Sequence, residues 1–213
     1  MQRINYSVLT EKVMKRCEQE NLRPRLLLHA CCAPCSSYVI EYLSKVFDIT
    51  LYFYNPNISP ESEYTYRFCE LSRLVEDMPE AEGVKTVLED YTPEDFLKIS
   101  KGLEHLPEGD IRCKKCYRLR LEKTAEKAKA DGFDYFTTTL SISPHKNADW
   151  LNEIGKELAE KYNTEYLFSD FKKKNGYKRS IELSAKYSLY RQDYCGCAFS
   201  KAQASVRRLE KKQ

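Results

Sequence analysis

Cysteine is the residue type of this chain most able to do chemistry, and seven of the nine cysteines fall into three short groups. The first group is Cys31, Cys32 and Cys35, which directly follows an apolar run that predicts a buried strand. In a loop at the end of a strand, Cys31 and Cys32 can both face one metal site. We therefore interpret the first group as metal ligands rather than as small packed side chains.

The second group, Cys113 and Cys116, lies at the start of a predicted helix. Residues three apart share one helix face. The helix N-terminus and the neighbouring Arg and Lys side chains favour the thiolate, which is the ligating form of cysteine. With Cys31 and Cys32 this pair offers four thiolates, a number that suits both a zinc ion and a four-iron cluster. Spacing alone does not separate these metals.

The third group is Cys195 and Cys197, separated by Gly196. A disulfide that closes so small a ring is strained and easily reduced, and Gly196 permits the bend that it needs. We favour the interpretation of a redox-active pair. The alternative is that both thiols bind a second metal together with Cys35.

Ionisable side chains that flank the predicted ligand-binding loops are candidate proton donors. The candidates are His29, Tyr117, His145 and Lys146. His29 has a competing interpretation as an imidazole satisfied by the backbone. His145 and Lys146 have another, as ligands of a phosphate.

Strands that alternate with helices position these residues. The predicted strands are 25–30, 49–54, 84–89, 134–140 and 164–168. Predicted helices cover 7–21, 36–46, 61–76, a segment that Thr92 and Pro93 open, 114–130, 149–162, and 177 to the end with a break at the third cysteine group. This alternation predicts an α/β fold with a parallel sheet of about five strands flanked by helices and a C-terminal helical segment.

The loops after the strands are the predicted site. In open parallel sheets, ligands bind beyond the carboxyl ends of the strands. We therefore expect His29–Cys35, Asn55–Asn57 and Leu140–Asn147 to be neighbours. The whole chain, 1–213, is predicted to be one α/β domain with a metal site at this edge.

Charge and hydropathy exclude a membrane protein and say little about partners. The mean hydropathy is -0.64, the formal net charge is +3, and the N-terminus lacks the apolar core of a signal peptide. We expect a cytoplasmic protein, where thiols stay reduced and clustered cysteines indicate metal or redox chemistry. Basic residues concentrate at 172–179 and 207–212, which suits either a solvated face or a nucleic-acid contact.

Seven motifs in order along the chain resemble the QueH-type epoxyqueuosine reductase family, from about Leu26 to Ser200. They are HACCAPC, YNPNI, EYTYR, RCKKCYRLRL, TTTLSISPHKN, DFKKKNGYKRS and LYRQDYCGCAFS. The resemblance implies a Rossmann-like fold related to the PP-loop ATP pyrophosphatases of the HUP class. The first loop here has no glycine to cradle a phosphate, so we expect no use of ATP.

The resemblance also implies an activity, reduction of epoxyqueuosine to queuosine at the wobble position of tRNA, the last step of queuosine biosynthesis. It implies that Cys31, Cys32, Cys113 and Cys116 hold a 4Fe-4S cluster and that the third group is redox-active. Cys35 is a candidate ligand of a second metal, a mononuclear iron. The implied partners are tRNA containing epoxyqueuosine and an unidentified electron donor, and the candidate substrate-binding residues are Lys146, Lys173, Lys174, Arg191 and Gln192.

Two other functions compete with this one. A zinc-stabilised, non-catalytic RNA-binding module would use the same four cysteines for structure only. A thiol-based RNA-modifying enzyme would need ATP, and the absent phosphate loop argues against it.

Overall fold

A five-stranded parallel sheet forms the centre of the computed structural model, which describes residues 4–210. The strand order is β3-β2-β1-β4-β5, and every neighbouring pair is parallel. The strands are β1 (Arg25–His29), β2 (Asp48–Phe53), β3 (Lys85–Leu88), β4 (Tyr135–Thr138) and β5 (Glu165–Tyr166). The α/β class and the Rossmann-like sheet are therefore confirmed.

Eight helices of the described chain connect and flank these strands. They are α1 (Tyr6–Gln19), α2 (Ala33–Leu43), α3 (Glu61–Asp77), α4 (Pro93–Ser100), α5 (Ile111–Ala130), α6 (Ala148–Tyr162), α7 (Gly176–Lys186) and α8 (Ala198–Glu210). Short 3-10 turns cover Pro79–Ala81 and Thr139–Ile142. The predicted start of α4 is confirmed, with Thr92 as its N-cap and Pro93 in its first turn.

The central strand β1 shows why both faces of the sheet are covered. Leu26 and Leu28 belong to one buried apolar cluster, and Leu27 belongs to the cluster on the opposite face. Successive side chains of a strand point to opposite faces, so a continuous apolar run needs a helical layer on each side. Helix α2 contributes to the first cluster, and α5 and α6 contribute to the second.

Several predicted boundaries were wrong, and two of the differences matter for the site. Helix α2 begins at Ala33 rather than at residue 36, because Pro34 is well tolerated in a first turn, so Cys35 is helical. Helix α5 begins at Ile111 rather than at residue 114, since the Asp110 side chain caps it by accepting from the Ile111 N–H.

Other differences lie at the chain's later elements. The helix predicted from residue 177 ends at Lys186, well before the third cysteine group, and β5 has two residues where five were predicted. The last residues of the predicted strand 134–140 form part of a 3-10 turn. In the described range no helix is both long and apolar enough to span a bilayer. One domain over 1–213 stays a prediction, and Lys211 and Lys212 of the basic tail lie outside the described residues.

Candidate functional site

The loops after β1, β2 and β4 meet at one edge of the sheet, as predicted. The Asn55 side-chain amide donates to the carbonyl of Ala30 at 2.9 Å. The backbone N–H of Cys31 donates to the Thr139 hydroxyl at 3.4 Å. These bonds tie the cysteine loop after β1 to the segments on either side of it.

His29 is a buried part of this framework. Its Nδ1 lies 2.9 Å from the Thr138 hydroxyl and its Nε2 lies 3.1 Å from the Tyr54 carbonyl. Burial lowers the pKa of His29 to about 3, so the imidazole is neutral. Both ring nitrogens are engaged, which favours the interpretation of His29 as a satisfied imidazole over that of a proton donor.

The first cysteine group forms a compact set of sulfur atoms. The Sγ atoms of Cys31 and Cys32 lie 3.7 Å apart, and the three Sγ atoms, with that of Cys35, lie within 4.8 Å of one another. Metal–sulfur bonds of about 2.3 Å in a tetrahedral site place sulfurs about 3.8 Å apart. Between residues 4 and 210, no other set of three His, Cys, Asp or Glu ligand atoms is this compact.

Hydrogen bonding within this group concentrates negative charge on one sulfur. The pKa of Cys31 lies well below its usual value because the thiols of Cys32 and Cys35 donate to it. The pKa values of Cys32 and Cys35 lie above their usual value, chiefly because of the same interactions and of burial. The group thus favours one thiolate supported by two thiols.

The second cysteine group lies in the first two turns of α5. Cys113 is half-buried, and its Sγ accepts a hydrogen bond from the Gly109 N–H at 3.3 Å. Burial raises the pKa of both thiols, that of Cys116 to about 12. Desolvation of the two thiols thus opposes the bias toward thiolate that the helix N-terminus predicts. A bound metal ion reverses this balance by favouring the deprotonated ligand.

The third cysteine group is held in place from two sides. Arg67 donates from Nη1 to the carbonyl of Cys195 at 3.3 Å, and the Ser59 N–H donates to the carbonyl of Gly196 at 3.0 Å. Cys197 precedes α8, and its Sγ accepts from the Ser200 N–H at 3.3 Å. Cys195 and Cys197 are free thiols here.

Two adjoining cavities bring the three groups together. A cavity of about 530 Å³ is lined by the first group, and a space of about 10 Å³ is lined by the second group and Cys197. Cys195, Arg120 and Glu108 line both. The larger volume suits a small organic ligand. A substrate in the larger cavity would therefore contact the first cysteine group, with the second group and Cys197 in the small space next to it.

Three of the five candidate substrate-binding residues line the larger cavity. The Lys146 ammonium is buried and pairs with the Glu108 carboxylate at 3.0 Å. Arg191 donates to the Ser184 hydroxyl at 3.0 Å, and Gln192 follows it in the cavity wall. These three residues therefore share the cavity lining with the cysteines of the first group.

Lys173 and Lys174 do not reach this cavity. Lys173 is exposed and lines a neighbouring groove, which shares His145 and Lys146 with the main cavity. Lys174 is exposed and pairs with Glu11. These two lysines can contact only parts of a ligand that extend outside the cavity.

Two further candidate proton donors differ in access. Tyr117 is buried beside the small space, where burial raises the pKa of its hydroxyl. His145 is exposed and borders the larger cavity. Of these two side chains, only His145 is placed to contact a ligand that enters from solvent.

Sequence reasoning missed three charged residues of the site: Arg67, Arg120 and Glu108. Arg120 follows Cys116 by four residues, and that helical spacing is a signal that they share a face. Arg67 belongs to a recognised motif but shows no pattern that points to the third cysteine group. Glu108 lies in an irregular loop, and nothing in its neighbours indicates its pairing with Lys146.

Comparisons with known proteins cover all three cysteine groups. A family model described as epoxyqueuosine reductase QueH matches residues 26–203. The chain is 46% identical over 201 residues to a Streptococcus pyogenes serotype M1 protein named epoxyqueuosine reductase QueH, covering 93% of this chain and 79% of that one. A Staphylococcus epidermidis protein of the same name is 45% identical, and the match covers 93% of this chain and 85% of that protein. A Thermotoga maritima protein of the same name is 36% identical, and the match covers 82% of this chain and 89% of that protein.

Proposed function

The chain belongs to the QueH family of epoxyqueuosine reductases, which are oxidoreductases, and we propose that it reduces epoxyqueuosine to queuosine at the wobble position of tRNA. This reaction is the last step of queuosine biosynthesis, and it places the protein in the cytoplasm with tRNA. The observation that carries the proposal is the meeting of three cysteine groups around Cys195 at a cavity large enough for a modified nucleoside.

Cys31, Cys32, Cys113 and Cys116 are the proposed ligands of a 4Fe-4S cluster. Thiolates are the donors that such clusters use, and two cysteine pairs supply them, one in the loop after β1 and one in the first two turns of α5. A buried Arg120 nitrogen without a hydrogen-bond partner also suits an anionic centre between the two cavities. When bound, this group supplies single electrons.

Cys35 is the proposed ligand of a second, mononuclear iron. Its sulfur lies within 4.8 Å of those of Cys31 and Cys32, a spacing that suits ligands of a single ion. Cys31 and Cys32 are also proposed ligands of the cluster. If they bind the second iron together with Cys35, one of them would have to bridge the two metals or bind only one of them.

Cys195 and Cys197 are the proposed source of the electron pair. Oxidation of two thiols to a disulfide releases two electrons and two protons, and conversion of an epoxide to an alkene and water consumes two of each. The disulfide then has to be reduced by the external electron donor. The short loop around Gly196, held by Arg67, keeps Cys195 at the larger cavity and Cys197 at the adjoining small space.

Lys146, Arg191 and Gln192 are proposed to hold the modified base within the cavity. The buried Lys146 ammonium and its Glu108 partner offer a charged donor and an acceptor on one wall. The exposed Lys173 and Lys174 lie outside the cavity, where they can contact phosphates of the RNA backbone.

The test is single-turnover conversion of tRNA containing epoxyqueuosine under anaerobic conditions, followed by mass spectrometry of the nucleosides. We expect queuosine from the wild-type protein and loss of conversion in Cys195→Ser and Cys197→Ser. Cys69→Ser is the matched control, because Cys69 is exposed and lines neither cavity. Full conversion by both serine variants contradicts the electron-pair role, and no conversion by an iron-loaded wild type contradicts the function.

The competing hypothesis of a non-catalytic zinc module does not agree with membership of a reductase family. Metal analysis separates the two, because a zinc protein contains no acid-labile sulfide.

A further inference from the structure

Arg120 is a buried cation without a carboxylate partner in residues 4–210. Its side chain is 1% exposed. Nη1 donates to the Asn55 side-chain oxygen at 3.2 Å, and Nε donates to the carbonyl of Cys116 at 3.4 Å. Nη2 is buried and has no hydrogen-bond partner. Removing such a charge from water is costly unless an anion compensates it.

The other two buried arginines beside the cysteines are compensated differently. Arg67 forms an ion pair with Glu63 at 2.7 Å. Arg112 donates from Nη1 to three backbone carbonyls, those of Leu103, Glu104 and Leu106, and so shapes the loop before α5. The Nη2 atoms of all three arginines lack a hydrogen-bond partner, and Arg120 is the one of the three that lines both cavities.

The surroundings of Arg120 supply sulfur from all three cysteine groups. Cys195 of the third group borders both cavities that Arg120 lines. Arg120 lines the larger cavity with Cys31 and Cys32, and it lines the small space with Cys113 and Cys116. The guanidinium therefore lies between the two cysteine pairs.

The Asn57 side-chain amide, which lines the same small space, is also buried without hydrogen-bond partners. It is 2% exposed, and neither its Nδ2 nor its Oδ1 has a hydrogen-bond partner. It borders the same space as Cys113, Cys116 and Arg120. Unsatisfied buried donors that converge on one small space indicate that an acceptor belongs there.

Resting on the proposed iron–sulfur function, we propose that Arg120 is a positioning residue that stabilises the reduced form of the centre. With the centre bound, the free Nη2 would donate an N–H to one of its sulfurs, and the guanidinium charge would offset the negative charge that one-electron reduction adds. That reduction would take one electron from an external reductant and would neither form nor break a bond in the protein. Hydrogen bonds to sulfur and nearby charge are what set the potentials of such centres.

The test is a redox titration of the iron-loaded protein with dithionite, monitored by visible absorbance and electron paramagnetic resonance. We expect Arg120→Gln to reduce the equilibrium constant for one-electron reduction at least tenfold, which is a potential at least 59 mV more negative. Arg120→Lys keeps the charge and should shift the constant by less than tenfold. Arg118→Gln is the matched control, because Arg118 lies on the same helix and forms an exposed ion pair with Glu157.

Two results overturn the inference: an iron-loaded Arg120→Gln with the potential of Arg118→Gln, or an Arg120→Lys shift of tenfold or more. If Arg120→Gln does not retain iron, the potential of Arg120→Lys alone tests the inference. Failure of the proposed function is distinguished by the wild type. If the iron-loaded wild type converts epoxyqueuosine and Arg120→Gln has the wild-type potential, only the role of Arg120 is refuted. A wild type without a cluster refutes the function and this inference with it.

Discussion

Replacement of Gly196 by alanine tests whether the loop of the third cysteine group depends on close contact with Arg67. Gly196 has φ of 120°, a conformation that residues with a side chain rarely adopt. An added Cβ would lie 2.9 Å from Cγ1 of Ile58 and 3.1 Å from Nη1 of Arg67. The same Nη1 donates to the carbonyl of Cys195, so the methyl group competes with that hydrogen bond.

Two costs add in this variant. The strained backbone conformation costs about 2 kcal/mol. Displacement of a charged donor from the Cys195 carbonyl costs about 2 kcal/mol. We therefore expect Gly196→Ala to lower the free energy of unfolding by about 4 kcal/mol, the sum of the two.

Urea unfolding of the anaerobic protein measures this loss, and Gly102→Ala separates its two parts. Gly102 has φ of 79° and nothing within 4 Å of an added Cβ, so its variant reports the backbone strain without the contact. We expect Gly196→Ala to be less stable than Gly102→Ala by about 2 kcal/mol. Equal losses in the two variants would refute the argument that Arg67 contacts define this loop.

The remaining predictions concern the framework of the site. The pKa of His29 is about 3 in the folded protein against 6.5 in the unfolded chain, so its contribution to stability is complete above pH 6.5 and is lost as the pH falls toward 3. Urea unfolding should therefore show about 2 kcal/mol more loss between pH 7.5 and 5.0 for the wild type than for His29→Asn, and equal losses would contradict this. Lys146→Met should cost about 2 kcal/mol by leaving the half-buried Glu108 carboxylate without its cation, and Lys146→Met with Glu108→Leu should recover most of this loss. A double variant no more stable than Lys146→Met refutes the pairing. Gly155→Ala should cost about 2 kcal/mol in thermal or urea unfolding, because its Cβ would lie 2.4 Å from the Tyr166 ring, and an unchanged stability would show that the ring moves freely.

The sheet and its site edge could be predicted because they depend on local patterns. The apolar run at Leu26–Leu28 and the breaker after Tyr54 mark strands whose carboxyl ends must lie together in a parallel sheet. The three cysteine groups are recognisable from spacing alone. Their convergence near Cys195 depends on the path of the chain after Lys186, which is irregular and carries no periodic signal.

The charges of the site could not be predicted, because they depend on burial. A helix N-terminus favours thiolate at Cys113 and Cys116, yet the depth at which α5 packs raises the pKa of both thiols. Arg120 looks like one more residue of a basic helix until its side chain is seen to be enclosed. Glu108 acquires its role only from the fold that brings it to Lys146.

The most direct test of the central claim, that two cysteine pairs share one iron–sulfur centre, is the iron and acid-labile sulfide content of the anaerobically purified protein. We expect about five iron per chain in the wild type, four in the cluster and one mononuclear, together with about four sulfide. Cys31→Ser and Cys113→Ser should lose the sulfide and the cluster iron, and Cys69→Ser should retain both. Sulfide retained in full by Cys113→Ser, or a wild type that binds a single metal ion without sulfide, would contradict the account.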